Sequence, residues 1–145
     1  MFAGSHDHVL DDKGRTSLPK EYRQILSGMP GDPWLTTFSE CLTLFTPAEF
    51  EVISEKLSNA SSTMPDILDL QRLILGNAAR CPIDRQGRIF IVPQLRTWAG
   101  LSREIVFLGL GRRIEVWSKE RRMENLEYLK GSYPTYSANS KDYGL

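Results

Sequence analysis

The chain has little of what several protein classes require. Its two cysteines, Cys41 and Cys81, form neither a disulfide framework nor a CxxC motif. No apolar run approaches the roughly 20 residues of a membrane-spanning helix. The start, MFAGSHDHVLDD, lacks the basic and apolar regions of a secretory signal. These absences predict a soluble cytoplasmic protein with two reduced, buried thiols.

Net charge is absent as well. The 18 basic residues balance the 18 acidic ones, whereas many nucleic-acid-binding domains are strongly basic. The charge is nevertheless uneven along the chain. Residues 80–96 hold four arginines and one acid, and residues 11–23 hold four bases and three acids. This distribution permits a basic face without proving one.

Candidate catalytic and metal-binding groups are few. On a strand, His6 and His8 would share one face and could bind a metal with Asp11, but no well-placed third ligand is evident. Two solvated histidines are the simpler interpretation. We therefore expect no enzyme, no metal site and no cofactor.

What the sequence does contain is a repeated turn. Residues 10–19 read LDDKGRTSLP and residues 83–93 read IDRQGRIFIVP. Asp84 follows Asp11 by 73 residues, and each Asp precedes a Gly-Arg pair and then a proline. The proline predicts the first turn of a short helix, where its missing N–H costs nothing.

The surroundings of the turn are duplicated too. After each short helix comes a predicted hairpin, WLTTFSECLTLF in the first copy and EIVFLGLGRRIEVW in the second. A helix start follows each hairpin, at Thr46 and at Ser118. The pattern indicates an internal duplication. The apolar faces of the two short helices are predicted to be Tyr22, Ile25 and Leu26, and Leu95, Trp98 and Ala99.

These patterns predict an α+β fold with a mainly β core and helices. The last helix should end near Gly131, and the aperiodic SYPTYSANSKDYGL that follows is expected to be a mobile tail. The predicted boundaries are 5–52 for the first unit, 53–77 for a helical connector, 78–121 for the second unit, 122–131 for the end of the last helix and 132–145 for the tail.

Glycine and aspartate have clear physical roles in the turn. Gly14 and Gly87 can adopt a positive φ at a hairpin tip without steric cost. The carboxylates of Asp11 and Asp84 can accept hydrogen bonds from backbone N–H groups, which would hold each loop in one shape.

The arginines admit two interpretations. Arg15 and Arg88 leave the turn on the returning strand, where the aspartate can face the guanidinium and pre-orient it. The strand IFIV after Arg88 is apolar throughout, which predicts burial on both faces and a rigid mount. Each pair could instead be a simple bridge that closes a hairpin and contributes only ~0–1 kcal/mol. Because both copies keep the same spacing of aspartate and arginine, the first interpretation is favoured, in which the aspartate orients the arginine toward a binding partner.

Taken together, the motifs resemble the MraZ family of bacterial DNA-binding transcriptional regulators, which is associated with the division and cell-wall gene cluster. The resemblance covers the chain up to about Leu126. It rests on Met1-Phe2 with Gly4, Asp11-x-Lys13-Gly14-Arg15 with Leu18-Pro19, the RLILG segment at 72–76, and Asp84-x-x-Gly87-Arg88 with Pro93.

The resemblance implies a SpoVT/AbrB-like fold, in which two tandem ββαβ units interlock as a swapped-hairpin barrel and form a pseudo-dimer within one chain. It implies a ring-like homo-oligomer in the cytoplasm and nucleoid, binding double-stranded DNA at short promoter repeats upstream of its own gene cluster. The implied DNA-binding residues are Arg15, Arg88, Lys13 and Arg85. Arg85 is included because the second copy has Gln86 where the first has Lys13, so that Arg85 would supply the missing positive charge. The implied loop-orienting residues are Asp11, Gly14, Asp84 and Gly87.

Two other functions remain open. One is an antitoxin-like partner-binding module, although antitoxins usually have a long disordered tail and residues 132–145 are short. The other is a structural oligomer without a DNA role. Promoter binding that weakens steeply with salt would distinguish a DNA reader from both.

Overall fold

The duplicated elements are arranged around one shared sheet in the structure, a computed structural model that describes residues 1–145. The first copy consists of β1 (Phe2–Val9), β2 (Arg15–Ser17), α1 (Lys20–Ser27), β3 (Trp34–Phe38), β4 (Cys41–Phe45) and α2 (Pro47–Asn59). The connector is α3 (Pro65–Leu70) with a π-helical turn (Gln71–Leu75). The second copy consists of β5 (Ala79–Arg80), β6 (Arg88–Phe90), α4 (Pro93–Ala99), β7 (Glu104–Gly111), β8 (Arg113–Ser118), α5 (Lys119–Asn139) and a 3-10 turn (Ser140–Tyr143).

The strand order reveals a pseudo-two-fold axis. The large sheet runs β1-β7-β8-β4-β3-β5, and a separate two-stranded ribbon pairs β2 with β6. If each strand is replaced by its counterpart in the other copy, the sheet has the same strand order when it is read from the opposite edge. The register follows the same symmetry: Thr43 pairs with Glu115 at the centre of the large sheet, and Thr16 pairs with Ile89 at the centre of the ribbon.

The two copies exchange strands across this axis. β1 pairs along its length with β7 of the second copy, and the short β5 pairs with β3 of the first. The predicted hairpins β3–β4 and β7–β8 are confirmed. This arrangement confirms the predicted α+β fold and the strand-swapped pseudo-dimer that the family resemblance implies.

One core holds the two copies together. Its 17 buried residues come from both copies, with the equivalent pairs Leu35 and Phe107, and Leu44 and Val116, among them. Burying a side chain of this size contributes about 1.5–3 kcal/mol relative to leaving it exposed. Because each copy completes the apolar surface of the other, neither has a core of its own.

Local capping signals act as the sequence predicts. Thr46 Oγ1 accepts a hydrogen bond from the Glu49 N–H at 3.2 Å, and Ser118 Oγ accepts one from the Arg121 N–H at 3.0 Å. Each cap satisfies a donor that the first turn of a helix leaves unpaired. The equivalent helices α2 and α5 thus begin at equivalent positions.

The connector docks on β3 through two threonines. Thr36 Oγ1 and Thr37 Oγ1 each donate a 2.5 Å hydrogen bond, to the carbonyl oxygens of Ile74 and Leu73. Carbonyls at the end of a helix lack intrahelical donors, and these buried hydroxyls supply them.

The predicted end of the last helix is wrong. α5 continues through Gly131 and Pro134 to Asn139, and the 3-10 turn follows at once. Gly131 keeps a negative φ, so it does not act as a left-handed helix stop. Pro134 removes one backbone donor and leaves the neighbouring turns in place. Residues 132–143 are therefore helical where irregular chain was expected, although none is buried.

None of the helices in the structure has the length and apolar character needed to cross a membrane.

Candidate nucleic-acid interface

The β2–β6 ribbon has two unlike faces. Thr16 lies opposite Ile89, and both are buried, because they point toward the core. Arg15 lies opposite Phe90, and Ser17 lies opposite Arg88. Since directly paired residues share a face and neighbours along a strand alternate, these four side chains form the outer face of the ribbon.

Phe90 corrects the sequence prediction for its strand. The run IFIV was expected to be buried on both faces, but the Phe90 residue is 45% exposed while Ile89 and Ile91 are buried. The ribbon has core on one side only, so an apolar residue at the outer register position stays in solvent. Its counterpart in the first copy is Ser17, which makes the outer face chemically unequal between the copies.

The two Asp-x-x-x-Arg turns have nearly the same geometry. Asp11 Oδ1 accepts hydrogen bonds from the N–H groups of Lys13 at 2.9 Å and Arg15 at 2.8 Å. Asp84 Oδ1 accepts from Gln86 and Arg88, both at 2.9 Å. The Gly14 and Gly87 N–H groups each donate to the carbonyl of their own aspartate at 3.0 Å. Each turn is thus closed by hydrogen bonds to the side chain and the backbone carbonyl of its own aspartate.

Both aspartates are ionised near neutral pH. The hydrogen bond from the Arg15 backbone N–H is the largest cause that lowers the pKa of Asp11. The hydrogen bond from the Arg88 backbone N–H does the same for Asp84, and the Arg88 side chain lowers that pKa further. A charged carboxylate is the stronger acceptor, so the negative charge keeps the turn closed.

The two arginines are held differently. Arg88 Nε donates to Asp84 Oδ2 at 3.0 Å, which orients the guanidinium as the sequence predicts. Arg15 makes no side-chain hydrogen bond or salt bridge with Asp11, so that expectation is wrong for the first copy. Asp11 engages the backbone of the turn through Oδ1 alone, and the Arg15 guanidinium is left unpaired.

Two further arginines, which the sequence analysis did not single out, pack on the turns. A Cβ at Gly14 would lie 2.9 Å from Arg96 Cζ, and a Cβ at Gly87 would lie 2.5 Å from Arg23 Cδ. Arg23 belongs to α1 of the first copy and Arg96 to α4 of the second, so each covers the turn of the other copy. Their separation of 73 residues equals that of the two aspartates, which is the signal that could have identified them.

The turns and the arginines on them carry a local positive charge. Their six bases outnumber their three acids, which gives an excess of three positive charges in a chain of zero net charge. Of the six bases, only Arg88 takes part in a salt bridge. The bases are Lys13, Arg15, Arg23, Arg85, Arg88 and Arg96, and the acids are Asp11, Asp12 and Asp84.

The two histidines have packing partners. The His6 ring lies edge-on to Tyr22 with centroids 5.0 Å apart, and the His8 ring lies edge-on to Phe107 at 5.3 Å. His8 Nδ1 is 3.2 Å from Ser17 Oγ, and burial lowers the His8 pKa. No three His, Cys, Asp or Glu side chains lie close enough together to hold a metal ion.

The cysteines are buried free thiols, as the sequence predicts. Burial raises the pKa of Cys81 to about 12 and raises that of Cys41 strongly. Since the thiolate is the reactive form, neither thiol is suited to nucleophilic or redox chemistry near neutral pH.

Comparison with known proteins decides the family. The family described as "MraZ protein, putative antitoxin-like" matches residues 1–73 and again 74–130. A transcriptional regulator MraZ from Frankia alni is 42% identical over 137 residues, with 94% of each chain covered. Its counterpart from Syntrophomonas wolfei is 32% identical over 147 residues, with both chains covered in full. The chain belongs to the MraZ family.

Membership confirms the resemblance drawn from the repeated turns. The break between the two matched MraZ segments falls in the π-helical turn Gln71–Leu75, where the connector leads into the second copy. A further transcriptional regulator MraZ, from Parafrankia sp., is 44% identical over 121 residues and 83% of each chain. The relatives are named as regulators of transcription and not as enzymes, which fits the expectation of a non-enzyme.

Proposed function

We propose that this MraZ family member is a sequence-specific regulator of transcription that binds double-stranded DNA through the β2–β6 ribbon and its two flanking turns. The observation that carries the proposal is the outer face of the ribbon, where Arg15 and Arg88 project from duplicated, side-chain-locked turns. The major groove of B-DNA is ~12 Å wide and admits a two-stranded ribbon. The regulatory names of the relatives support the same function.

Arginine is the side chain best suited to read a base here. Arg15 and Arg88 can each bond to guanine O6 and N7, and a good bidentate contact is worth ~1–3 kcal/mol of discrimination against a wrong base. Phe90 is exposed on the outer face, opposite Arg15 and two residues from Arg88, where it can contact a thymine methyl group. Lys13 and Arg85, exposed in the turns, are suited to neutralise phosphates.

Assembly would supply the affinity that one chain lacks. A single copy of the ribbon offers two arginines to the bases, whereas a ring-like homo-oligomer on repeated promoter sites would engage several ribbons at a high effective concentration. The proposed sites lie upstream of the protein's own gene in the division and cell-wall cluster. The protein would then act at the nucleoid and regulate its own transcription.

Footprinting on the DNA upstream of the gene tests binding, repeat spacing and autoregulation together. We expect Arg15→Ala and Arg88→Ala each to weaken specific binding by roughly 5- to 150-fold, the equivalent of one bidentate base contact. Folding and assembly should be unchanged. Arg72→Ala is the charge-matched control, because Arg72 lies on the connector and its side chain is paired only with Asp69.

Loss of the oligomer or of solubility in both turn variants would show instead that the arginines are structural. The alternative functions, an antitoxin-like partner module or a structural oligomer, predict no salt-dependent promoter binding at all. The family description contains the words "antitoxin-like", which favours the antitoxin-like alternative. The bases on the turns, of which only Arg88 takes part in a salt bridge, favour DNA binding.

A further inference from the structure

We propose that Arg23 and Arg96 are positioning residues that hold the two turns in place from the opposite copy, so that both DNA-reading loops are set as one unit across the pseudo-two-fold axis. Only the expected effect on DNA recognition rests on the proposed DNA-binding function. The loop-holding role itself is independent of DNA.

The first support is the close approach at each glycine. At Gly14 the space that a Cβ would occupy is bounded by Arg96 Cζ and Ile91 O, both at 2.9 Å. At Gly87 it is filled by the Arg23 side chain, with Cδ at 2.5 Å and Cζ at 2.9 Å. Both glycines are buried although the aspartates and the residues between are exposed. An arginine side chain of the other copy lies against each of these buried glycines.

The second support is that ion pairing does not explain these arginines. Neither Arg23 nor Arg96 takes part in any of the six salt bridges. Arg23 Nη1 donates to the Gln86 carbonyl of the turn at 3.4 Å, whereas Arg96 Nε is buried without a hydrogen-bond partner. Arg23 is thus held on the second turn by packing and by this one hydrogen bond, whereas Arg96 is held on the first turn by packing.

The third support is the reciprocity of the arrangement. Arg23 of the first copy covers the second turn, and Arg96 of the second copy covers the first. The pseudo-two-fold axis repeats this contact only because both copies keep the arginine and the glycine that make it, whereas other positions of the turns, such as Lys13 and Gln86, differ between the copies. A planar, weakly hydrated guanidinium suits a flat backbone surface better than the ammonium of lysine does.

Hydrogen exchange of the turn amides tests the crossed contact directly. In Arg96→Ala we expect the Lys13 and Arg15 amides to exchange roughly five- to tenfold faster, as for the loss of one hydrogen bond's stabilisation. The Gln86 and Arg88 amides should be unchanged. In Arg23→Ala the pattern should be reversed.

Matched variants separate positioning from other roles. Gln24→Ala and Thr97→Ala change the exposed neighbours of the two arginines on the same helices and should leave both turns unchanged. Arg96→Lys keeps the charge without the planar group, and we expect it not to restore the protection. If Arg96→Ala does not fold, Arg96→Met retains the packing of the aliphatic stem and is measured in its place.

Binding to the promoter fragment provides the functional measurement. For positioning residues, the ratio of specific to non-specific affinity should fall while the slope of log K against log salt stays at its original value. A direct phosphate contact would instead reduce that slope by ~0.9 for each arginine.

The outcomes are distinguishable from failure of the proposed function. A reduced salt slope with unchanged amide exchange would overturn the positioning role, and so would full rescue by lysine or acceleration in the turn of the same copy. If the protein binds no promoter DNA but the crossed exchange pattern is present, the DNA-binding proposal fails while the loop-holding role stands.

Discussion

At the scale of single residues, each turn depends on one aspartate and one glycine. Aspartate offers an anionic oxygen within reach of two backbone N–H groups, and glycine adopts a φ of +85° at Gly14 and +77° at Gly87. Glycine also leaves room for an arginine of the other copy. The second requirement makes these glycines harder to replace than positive φ alone would.

Substitution of Gly87 should show both costs. Gly111 has a similar φ of +82°, but no atom lies near the position that a Cβ would take. Gly111→Ala should therefore lower the free energy of unfolding by only ~1–2 kcal/mol, through left-handed backbone strain. Gly87→Ala should lower the free energy of unfolding by more, because the new methyl group meets Arg23. Urea denaturation measures both, and removing Arg23 in the same chain should bring Gly87→Ala close to the control. Equal losses in the two single variants would contradict the contact.

The aspartates predict a defined pH dependence. Their folded-state pKa is lowered, so the stabilisation that they provide is fully present above the unfolded value of ~3.9 and is lost as the pH falls through the lowered folded pKa. The difference in stability between the wild type and Asp84→Asn should therefore be constant from pH 5 to pH 8 and shrink below about pH 4. Urea midpoints across this range measure it, with Asp12→Asn as the exposed control. A difference that grows with acid would contradict the assignment.

At the scale of elements, the ribbon is defined by which side faces the core. Its inner face is apolar and buried, and its outer face presents two arginines, a serine and a phenylalanine. Neighbouring residues of one strand therefore face opposite sides of the ribbon, as Ile89 and Phe90 do. Because Ser17 differs from Phe90 and Lys13 differs from Gln86, we expect the two copies to contribute unequally to the proposed DNA recognition.

Substitutions of adjacent residues in β6 test the assignment of the faces. Ile89→Ala should destabilise the fold by about 2–5 kcal/mol, because it leaves a cavity in the shared core. Phe90→Ser, which copies the first half of the chain, should change stability by only ~0.5 kcal/mol or less while weakening DNA binding at an A·T position. Thermal unfolding and promoter binding measure the two effects. Comparable destabilisation by both would show that Phe90 is a core residue.

At the scale of the whole molecule, the exchange of strands makes the two copies mutually dependent. β1 finds its partner more than 90 residues further along the chain, in β7, and the core draws on both halves. We expect one cooperative unfolding transition, with fluorescence and circular dichroism curves that coincide.

Separated halves should not fold alone. Residues 1–77 would retain β3 and β4 without β8, and residues 78–145 would retain β7 without β1. Each half should be largely unfolded by circular dichroism, and an equimolar mixture should recover the secondary structure of the intact chain. Independent folding of either half would contradict the single shared core.

The sequence by itself determined the features whose hydrogen bonds close within a few residues. The aspartate-locked turns, the Thr46 and Ser118 caps and the two hairpins were all predictable, because the groups that stabilise them are neighbours in the chain. The duplication was visible for the same reason. It is a repetition of local signals.

Only the tertiary structure decided which element meets which. The exposure of Phe90, the unpaired guanidinium of Arg15 and the packing of Arg23 and Arg96 on opposite turns depend on contacts between residues far apart in sequence. An apolar strand has the same composition whether one or both of its faces are covered, and an arginine on a helix has the same helix propensity whatever it covers. Those outcomes follow from the interlocking of the two copies, which places each turn beneath an arginine of the other.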